Sequence, residues 1–344
     1  MPSNSPTTPT QSITGDRSLG SRVKWLGLFF VTLAAAALSV IYSAQPDFLA
    51  PVTMVPCWFW LAALALVICF CSRSSSRKMV GAAIISTLLF GIFFVDEVRS
   101  LTRIGKQEIR STAEESAGSL LRVVTLNCNI GKLKCAREVK ELYPDIVMLQ
   151  ESPGLDSLLL LANELYGDAG QVVSSGDTSN LFAGSIVNKI ENRESHFTQV
   201  TAQLNSGQQL VLVSARLSPP VYRLDFWNQR FWNKHVQSRR EHRDQISEIL
   251  SSIGRRSEDT PTIIAGDFNS VARDGAFTPL GEKFTDAFRA GGRGWGATGT
   301  NDFPIFRVDQ IWVNEHYVPE SVAVRKTKYS DHRMVIGDFL TTDK

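Results

Sequence analysis

Five short polar motifs lie in the last two-thirds of this 344-residue chain, and their residue types suit phosphate chemistry. Four of the five end, or lie inside, an apolar run typical of a buried strand. Carboxylates, amides and a histidine gathered at one rim of a sheet are the groups of a metal-assisted phosphate-ester hydrolase. The candidates are Asn127 in VVTLNCN, Glu151 in DIVMLQE, Asp267 and Asn269 in TIIAGDFNS, Asp309 in FRVDQIWV, and Asp331 with His332 in YSDHRMV.

The GDFN motif supplies a carboxylate and an amide two positions apart. Gly266 would let the backbone turn tightly after a strand over Thr262–Ala265, so that Asp267 and Asn269 face the same side. A carboxylate can activate a water molecule, and an amide can donate to a phosphate oxygen. An Asx turn that merely closes a strand explains the same letters equally well.

The remaining motifs supply an acid for a metal and a histidine for the phosphate. Glu151 follows the apolar run Ile146–Leu149, and a hard cation such as Mg²⁺ needs only one or two carboxylates. His332 can act near a phosphate if a carboxylate fixes its tautomer, and Asp309, inside a predicted strand at 306–313, is the candidate. A lone histidine is more often structural, but the presence of all five motifs in this order favours a catalytic role for His332.

The elements that must position these residues follow from hydrophobic periodicity. Many strands with few helices between them indicate an α+β or layered α/β sandwich, not a doubly wound sheet. We predict helices at 133–142, 155–165 and 229–253. We predict strands at 121–127, 145–150, 181–188, 197–204, 210–217, 262–266, 306–313 and 334–341.

The N-terminal third contains three apolar stretches without a charged side chain. A membrane span needs roughly 20 apolar helical residues, and the second stretch approaches this length only with Val52–Pro56 included. We predict three transmembrane helices within residues 22–95; the alternative is a signal peptide followed by buried helices. The stretches are Trp25–Tyr42, Cys57–Cys71 and Met79–Val95.

Flanking charge predicts the orientation of this bundle. Basic residues precede the first stretch and separate the second from the third, whereas the loop at 43–56 has no Lys or Arg. The positive-inside rule then places residues 1–21, a predicted disordered tail, in the cytoplasm and the C-terminal part outside it. Arg99, Arg103 and Lys106 oppose this orientation. We predict a linker at 96–119, a catalytic domain at 120–344, and a plasma or inner membrane location.

The ordered set LN, QE, GDFN, R-x-D-x-I and SDH resembles the endonuclease/exonuclease/phosphatase superfamily. Its members include deoxyribonuclease I, exonuclease III-type AP endonucleases, inositol polyphosphate 5-phosphatases and sphingomyelinases. The resemblance covers roughly Leu120 to the C-terminus. It implies a four-layered α/β/β/α sandwich with a phosphohydrolase site that depends on Mg²⁺ (or Mn²⁺).

The resemblance also implies a role for each motif residue. Glu151 would be the principal metal ligand, with Asn127 and Asp331 beside the metal. Four other residues would handle the water and the phosphate: Asp267 would activate water, Asn269 and His332 would hold the phosphate, and Asp309 would orient His332.

One position departs from the family pattern. Many members have a histidine at the end of the strand before the long helix, where this chain has Arg216 after the strand Leu210–Val213. A guanidinium can bind a phosphate oxygen through two hydrogen bonds but cannot act as an acid at neutral pH. The alternative is that Arg216 is an ordinary surface residue outside the site.

The sequence constrains the substrate only weakly. The net charge of +2 is too balanced to argue for nucleic acid. Basic and aromatic residues alternate over 222–243, which suits either nucleic acid or a lipid headgroup. A membrane anchor favours a lipid-linked phosphate as the substrate. Extracellular nucleic acid is the second candidate substrate. The sequence indicates no protein partner. The alternative function is a catalytically weak or inactive sensor or scaffold that binds a phosphate-containing ligand.

Overall fold

The computed structural model describes residues 15–73, 76–104, 120–190, 196–221, 225–254 and 259–342. Its helices are α1 Gly15–Ala44, α2 Ala50–Thr53, α3 Cys57–Ser72, α4 Arg77–Phe94, α5 Asp96–Leu101, α6 Leu133–Ala136, α7 Leu155–Tyr166, α8 Gln229–Ile253, α9 Thr278–Gly281 and α10 Ala287–Gly291. Its strands are β1 Leu120–Asn127, β2 Ile146–Gln150, β3 Gly170–Ser175, β4 Thr178–Ile190, β5 Phe197–Leu204, β6 Gln209–Arg216, β7 Thr262–Asp267, β8 Thr285–Asp286, β9 Asp309–Val313, β10 Tyr317–Arg325 and β11 Met334–Thr341.

These strands form two sheets that share β4. The first half of β4 pairs antiparallel with β2 and β3, and its second half pairs antiparallel with β5. The strand order along the described sheet is β10-β11-β1-β2-β4-β5-β6-β7-β9-β8. Gly184 marks the change of sheet, because a Cβ there would lie 2.1 Å from the carbonyl oxygen of Gln203. The chain can therefore pass from one sheet to the other only with glycine at this position.

Apolar side chains fill three layers between and outside the two sheets. The central layer joins Val123 and Met148 of the first sheet to Leu212 and Ile263 of the second. The other face of the first sheet is covered by α6 and α7, and the other face of the second sheet by α8. The predicted four-layered α/β/β/α sandwich is confirmed.

Two helices of the N-terminal third are long and apolar enough to cross a membrane. These are residues Arg22–Ala44 and Arg77–Phe94, with mean hydropathies of 2.0 and 1.6. A third crossing requires Asp47–Thr53 and Cys57–Ser72, which meet at 67°, to count as one broken span. Large apolar side chains such as Phe70 remain 75% exposed on the bundle, as a lipid-facing surface requires.

One end of the helical bundle is packed on the sandwich. The segment between α1 and α3 contacts α8, and α5 contacts α10. Asp96 at the start of α5 is buried and accepts hydrogen bonds from Arg273 and Arg307. The start of the segment predicted as a linker therefore belongs to this interface, while residues 105–119 lie outside the described residues.

All eight predicted strands and the three predicted helical regions of the sandwich are present. The strands at 197–204 and 334–341 and the helix at 229–253 have the predicted bounds, and the other strands differ by at most three residues at either end. The region at 133–142 begins as α6 and continues as a 3-10 helix over 137–142. The strand predicted at 306–313 begins only at Asp309, because Phe306 pairs instead with Gly299. Helix α1 already begins at Gly15, inside the predicted tail, and residues 1–14 lie outside the described part of the chain. Strands β3, β8 and β10 were not predicted.

Candidate active site

Strand register aligns the predicted site residues along one rim of the sandwich. In the second sheet, Arg216 of β6 pairs with Asp267 of β7, and Asp267 pairs with Asp309 of β9. In the first sheet, Asn127 of β1 pairs with Gln150 of β2, directly before Glu151. Because adjacent strands end side by side, five polar residues from distant parts of the sequence lie within one site.

Gly266 is required for close strand contact rather than for the turn expected from the sequence. The strand continues through it to Asp267. A Cβ at this position would lie 1.9 Å from the carbonyl oxygen of Ala215 on β6. The glycine thus lets β6 and β7 pair at the point where they present Arg216 and Asp267.

Asn127 connects the acids of the two sheets. Its Nδ2 lies 3.0 Å from Oδ2 of Asp267 and 3.3 Å from Oε1 of Glu151, so the amide donates to both carboxylates. Its own Oδ1 accepts from the backbone N–H of Asn129 at 3.0 Å. A single buried amide therefore fixes the distance between the predicted water-activating acid and the predicted metal ligand.

Glu151 is held in an unusual backbone conformation. Its φ is +43°, which a residue with a side chain rarely adopts outside functional or strained sites. Oε2 accepts from the backbone N–H of Ile130 at 2.7 Å. Burial raises the pKa of this carboxyl, but Ile130, Asn127 and Arg216 together lower it below its ordinary value. Glu151 is therefore ionised at neutral pH, as a metal ligand must be.

Asp267 has the properties of a general base. Its side chain is buried, and burial together with the nearby Asp309 carboxylate raises its pKa to about 6. Charge on His332 and hydrogen bonds from Asn127 and the Asn269 backbone act in the opposite direction. A base whose pKa lies near the working pH is both deprotonated and able to accept a proton.

His332 and Asp309 form a hydrogen-bonded pair. Nδ1 of His332 lies 2.8 Å from Oδ2 of Asp309, whose backbone N–H donates to Oγ1 of Thr298. Burial lowers the pKa of the imidazole, but the carboxylates of Asp309, Asp267 and Asp331 raise it to about 10. His332 is therefore a cation at neutral pH, with Nε2–H available to donate to a phosphate oxygen.

Arg216 lies in the site. It donates to Oε1 of Glu151 at 2.8 Å and to Oδ2 of Asp177 at 2.5 Å. Asp177 was not predicted as a site residue. It directly follows Gly176 in the turn between β3 and β4, and Gly-Asp is an ordinary turn sequence that carries no functional signal. The guanidinium therefore bridges an exposed acid and the predicted metal ligand.

Asn269 and Asp331 lie at the edge of the same site. One N–H of the Asn269 amide donates to the carbonyl of Leu217 at 2.8 Å, and among the described residues the second N–H is available to a ligand. Asp331 is exposed beside His332. Both residues, with His332, line a cleft of about 330 Å³ that opens from the site.

Comparison with protein-family models gives a match over residues 124–332, more than half of the chain, to the endonuclease/exonuclease/phosphatase family. The chain belongs to this family. A comparison with curated protein sequences finds no match.

Solved structures from several organisms are similar to this chain. An endonuclease/exonuclease/phosphatase from Bacteroides vulgatus is 13% identical, with a TM-score of 0.50, and the match covers 65% of this chain and 100% of that one. A mannosyl-6-phosphatase from Bacteroides thetaiotaomicron is 15% identical, with a TM-score of 0.48 over 64% and 99% of the chains. A humanized D. rerio TDP2 is 19% identical, with a TM-score of 0.47 over 65% and 100%.

The family site contains two groups of side chains that bear on metal binding. Single ligand atoms of Asp267, Asp309 and His332 lie within 4.8 Å of one another. The imidazole Nδ1 in this group already pairs with Asp309, and a protonated imidazole cannot ligate a metal. The oxygens of Glu151, Asn127 and Asp331 are the hard donors that Mg²⁺ or Mn²⁺ prefers. Glu151 and Asp331 thus have donor atoms of the right kind for a divalent cation, whereas the Asn127 amide turns its nitrogen towards Glu151 and its oxygen towards the backbone N–H of Asn129.

Proposed function

We propose that this protein is a membrane-anchored, divalent-metal-dependent phosphoesterase that hydrolyses a lipid-linked phosphate ester or pyrophosphate. The observation that carries the proposal is the hydrogen-bonded series of groups along one rim. Asn127 links Glu151 to Asp267, and Asp309 pairs with His332. This series would supply a metal ligand, a base and a cationic donor, which are the groups that hydrolysis of a phosphate ester requires.

Each side chain of the site would have a separate task. Glu151, with Asn127 and Asp331 near it, would hold a Mg²⁺ or Mn²⁺ ion, whose charge supplies the polarisation of a phosphate oxygen. Asp267 would accept the proton of the attacking water. His332 would donate Nε2–H to a phosphate oxygen while Asp309 holds the ring in one orientation. Asp267 would thus act on the attacking water, while the positively charged His332 would stabilise negative charge on the phosphate.

Arg216 and Asn269 would bind the phosphate. The Arg216 guanidinium would exchange part of its pairing with Glu151 or Asp177 for a phosphate oxygen when metal and substrate are present. The second N–H of Asn269 would donate to another oxygen. Because arginine keeps its proton at neutral pH, the chain would protonate the leaving group from another residue or from water.

The packing of the bundle supports an active site on the side opposite the N-terminus. The segment between α1 and α3 and the helix that follows α4 both contact the sandwich, so they lie at the same end of the bundle. With three crossings, this end is opposite the basic residues at the start of α1 and around the α3–α4 turn. The proposed location is therefore extracytoplasmic, next to the lipids of that leaflet.

The packing also weakens the case for nucleic acid as substrate. Arg240 and Arg243, which belong to the basic segment at 222–243, pair with Asp47, and Arg239 pairs with Asp274. Arg239 and Arg243 therefore bind the chain itself rather than presenting free charge to a polyanion, whereas the side chain of Arg240 stays 64% exposed.

The proposal is tested by the activity of the full chain in lipid nanodiscs. Activated 4-nitrophenyl phosphate monoesters and diesters should be hydrolysed with Mg²⁺ or Mn²⁺ and not with EDTA. The full chain is needed because the sandwich without the bundle and α5 would lack Asp96, a partner of the buried Arg307. Binding of phosphate esters without hydrolysis under every metal condition would favour the alternative function, a sensor in which Arg216 neutralises Glu151.

A further inference from the structure

The cleft beside His332 extends from the active site to the membrane bundle. Asn269, Asp331 and His332 line one end, and Ala50 and Met54 line the other. Ala50 and Met54 belong to the short segment between α1 and α3. The cleft therefore joins the reacting groups to the part of the bundle that lies nearest the sandwich.

The walls of the cleft are mostly apolar between these two ends. Val221 comes from the segment before α8, and Phe306 and Val308 come from the segment before β9. Another wall contains Gly299 and Thr300, at the end of a loop that also carries Trp295. Trp295 packs edge-to-face on Trp58 of α3, with ring centroids 5.4 Å apart. The bundle thus contributes one wall directly and contacts the loop that forms another.

Two ionisable side chains in these walls, Arg239 and His242, are paired or neutral. Arg239 donates to Oδ2 of Asp274 at 2.9 Å and to the carbonyls of Gln45 and Pro46. Nε2 of His242 lies 2.8 Å from the carbonyl oxygen of Ser218. Burial holds the pKa of His242 below its ordinary value, so this ring is neutral at pH 7. Beyond the catalytic end, the cleft suits an apolar group rather than a second phosphate or a polyanion.

We propose that this cleft binds the hydrocarbon chain of the substrate, so that the phosphate lies at His332 and the chain extends towards Met54. The inference rests on the proposed phosphoesterase function and names the substrate as an amphiphile with one chain seated in the protein. The bundle then serves as a wall of the binding site as well as an anchor. Met54 and Val221 are specificity-determining residues for the chain.

Chain-length dependence of hydrolysis is the first test. The full chain in nanodiscs is given alkyl 4-nitrophenyl phosphate diesters and alkyl phosphate monoesters with one to eight carbons, below their micelle concentrations. Burial of each methylene is worth about a factor of four. We expect kcat/KM to rise at least about 100-fold from the ethyl to the octyl ester.

Substitutions in the cleft separate this site from general partition into the bilayer. Met54→Trp and, independently, Val221→Trp should lower the octyl-to-ethyl ratio of kcat/KM about tenfold or more. Leu66→Trp in α3 and Val318→Trp in β10 replace exposed residues outside the cleft and should keep the wild-type ratio. Two separate cleft variants guard against a folding defect in either one.

A binding measurement keeps the test independent of turnover. Alkylphosphonates of two to eight carbons, titrated calorimetrically, should bind more tightly with length in the wild type and lose this trend in Met54→Trp. Two results would contradict the proposed binding of a hydrocarbon chain: hydrolysis that does not depend on chain length, or preference for a thymidine 4-nitrophenyl phosphate over the octyl ester. Neither result would contradict the phosphoesterase activity itself. Binding that depends on chain length, without any hydrolysis, would support the hydrocarbon-binding site and contradict the proposed phosphoesterase activity.

Discussion

Replacing Asp96 with asparagine should weaken a buried ionic contact between the bundle and the sandwich and so lower the stability of the protein. Asp96 Oδ1 accepts from Arg273 at 2.6 Å, and Oδ2 accepts from Arg307 at 2.8 Å. The side chains of Asp96 and Arg307 are 5% and 3% exposed. In Asp96→Asn, Arg307 keeps a single carboxylate partner, Asp286, and Arg273 faces a neutral amide. Removing one member of a buried ion pair typically costs about 3–5 kcal/mol.

This cost should appear as a lower thermal unfolding midpoint. For a domain of this size, each kcal/mol lowers the midpoint by about 2–4 °C, so we expect a decrease of roughly 10 °C by tryptophan fluorescence of the full chain in detergent. The matched control is Asp47→Asn, because Asp47 is 25% exposed and pairs with Arg240 and Arg243. Such a pair is worth about 1 kcal/mol or less. Equal midpoints for both variants would refute the role given to Asp96.

The effect of Asp96 should also depend on pH. Burial raises its pKa, but Arg307 and Arg273 bring it below the ordinary value of an aspartate. The contribution to stability is therefore present above the unfolded-state pKa of about 4 and is lost as the pH falls through the lower folded value. We expect the difference in midpoint between wild type and Asp96→Asn to shrink below about pH 4. A difference that stays constant down to pH 2 would contradict this reasoning.

Four further changes test the site and its location. Arg216→Lys should lower kcat/KM about tenfold, because the ammonium is a point charge and does not reproduce the planar guanidinium. Arg216→His should retain more activity than Arg216→Ala. Unchanged kcat and KM in the alanine variant would exclude a role in phosphate binding. Gly266→Ala should prevent accumulation of folded chain, because its Cβ would overlap the Ala215 carbonyl, whereas Gly81→Ala in α4 meets nothing within 4 Å and should be tolerated. Asp309→Asn should lower the pKa of His332 from about 10, so activity should fall more at pH 8 than at pH 6, and an equal loss at both would count against a protonated His332. A reporter active only outside the cytoplasm should be active when fused after Lys344, and its silence would indicate an even number of crossings.

Sequence patterns predicted the rim because strand ends can be recognised locally. Four of the five motifs end, or lie inside, an apolar run, and register then places Arg216, Asp267 and Asp309 side by side. The missed strands have weak patterns: β3 reads GQVVSS, and β10 contains Pro319 beside a shift in register. The sequence could predict which residues reach the rim, but not which hydrogen bonds they make there.

The contacts between bundle and sandwich could not be predicted from local sequence. Asp96 and Arg307 are 211 positions apart, and nothing near Asp96 distinguishes a buried ion pair from a polar linker. The basic residues of α8 suggested nucleic acid or lipid headgroups, yet Arg239 and Arg243 pair with Asp274 and Asp47. Local composition reports that a charge is present, and only the fold determines its partner.

In the proposed function, Asp267 activates water for phosphate-ester hydrolysis in a site that needs a divalent cation. The most direct measurement compares kcat of the full chain carrying Asp267→Asn with kcat of Asp156→Asn, an exposed change in α7, on the ester that the wild type hydrolyses best. With Mg²⁺ or Mn²⁺, Asp267→Asn should be about 10²-fold slower or worse, the usual scale for a positioned acid–base group. Asp156→Asn should match the wild type, and EDTA should abolish its activity. Equal rates for the two variants, or a rate that EDTA does not change, would contradict the claim.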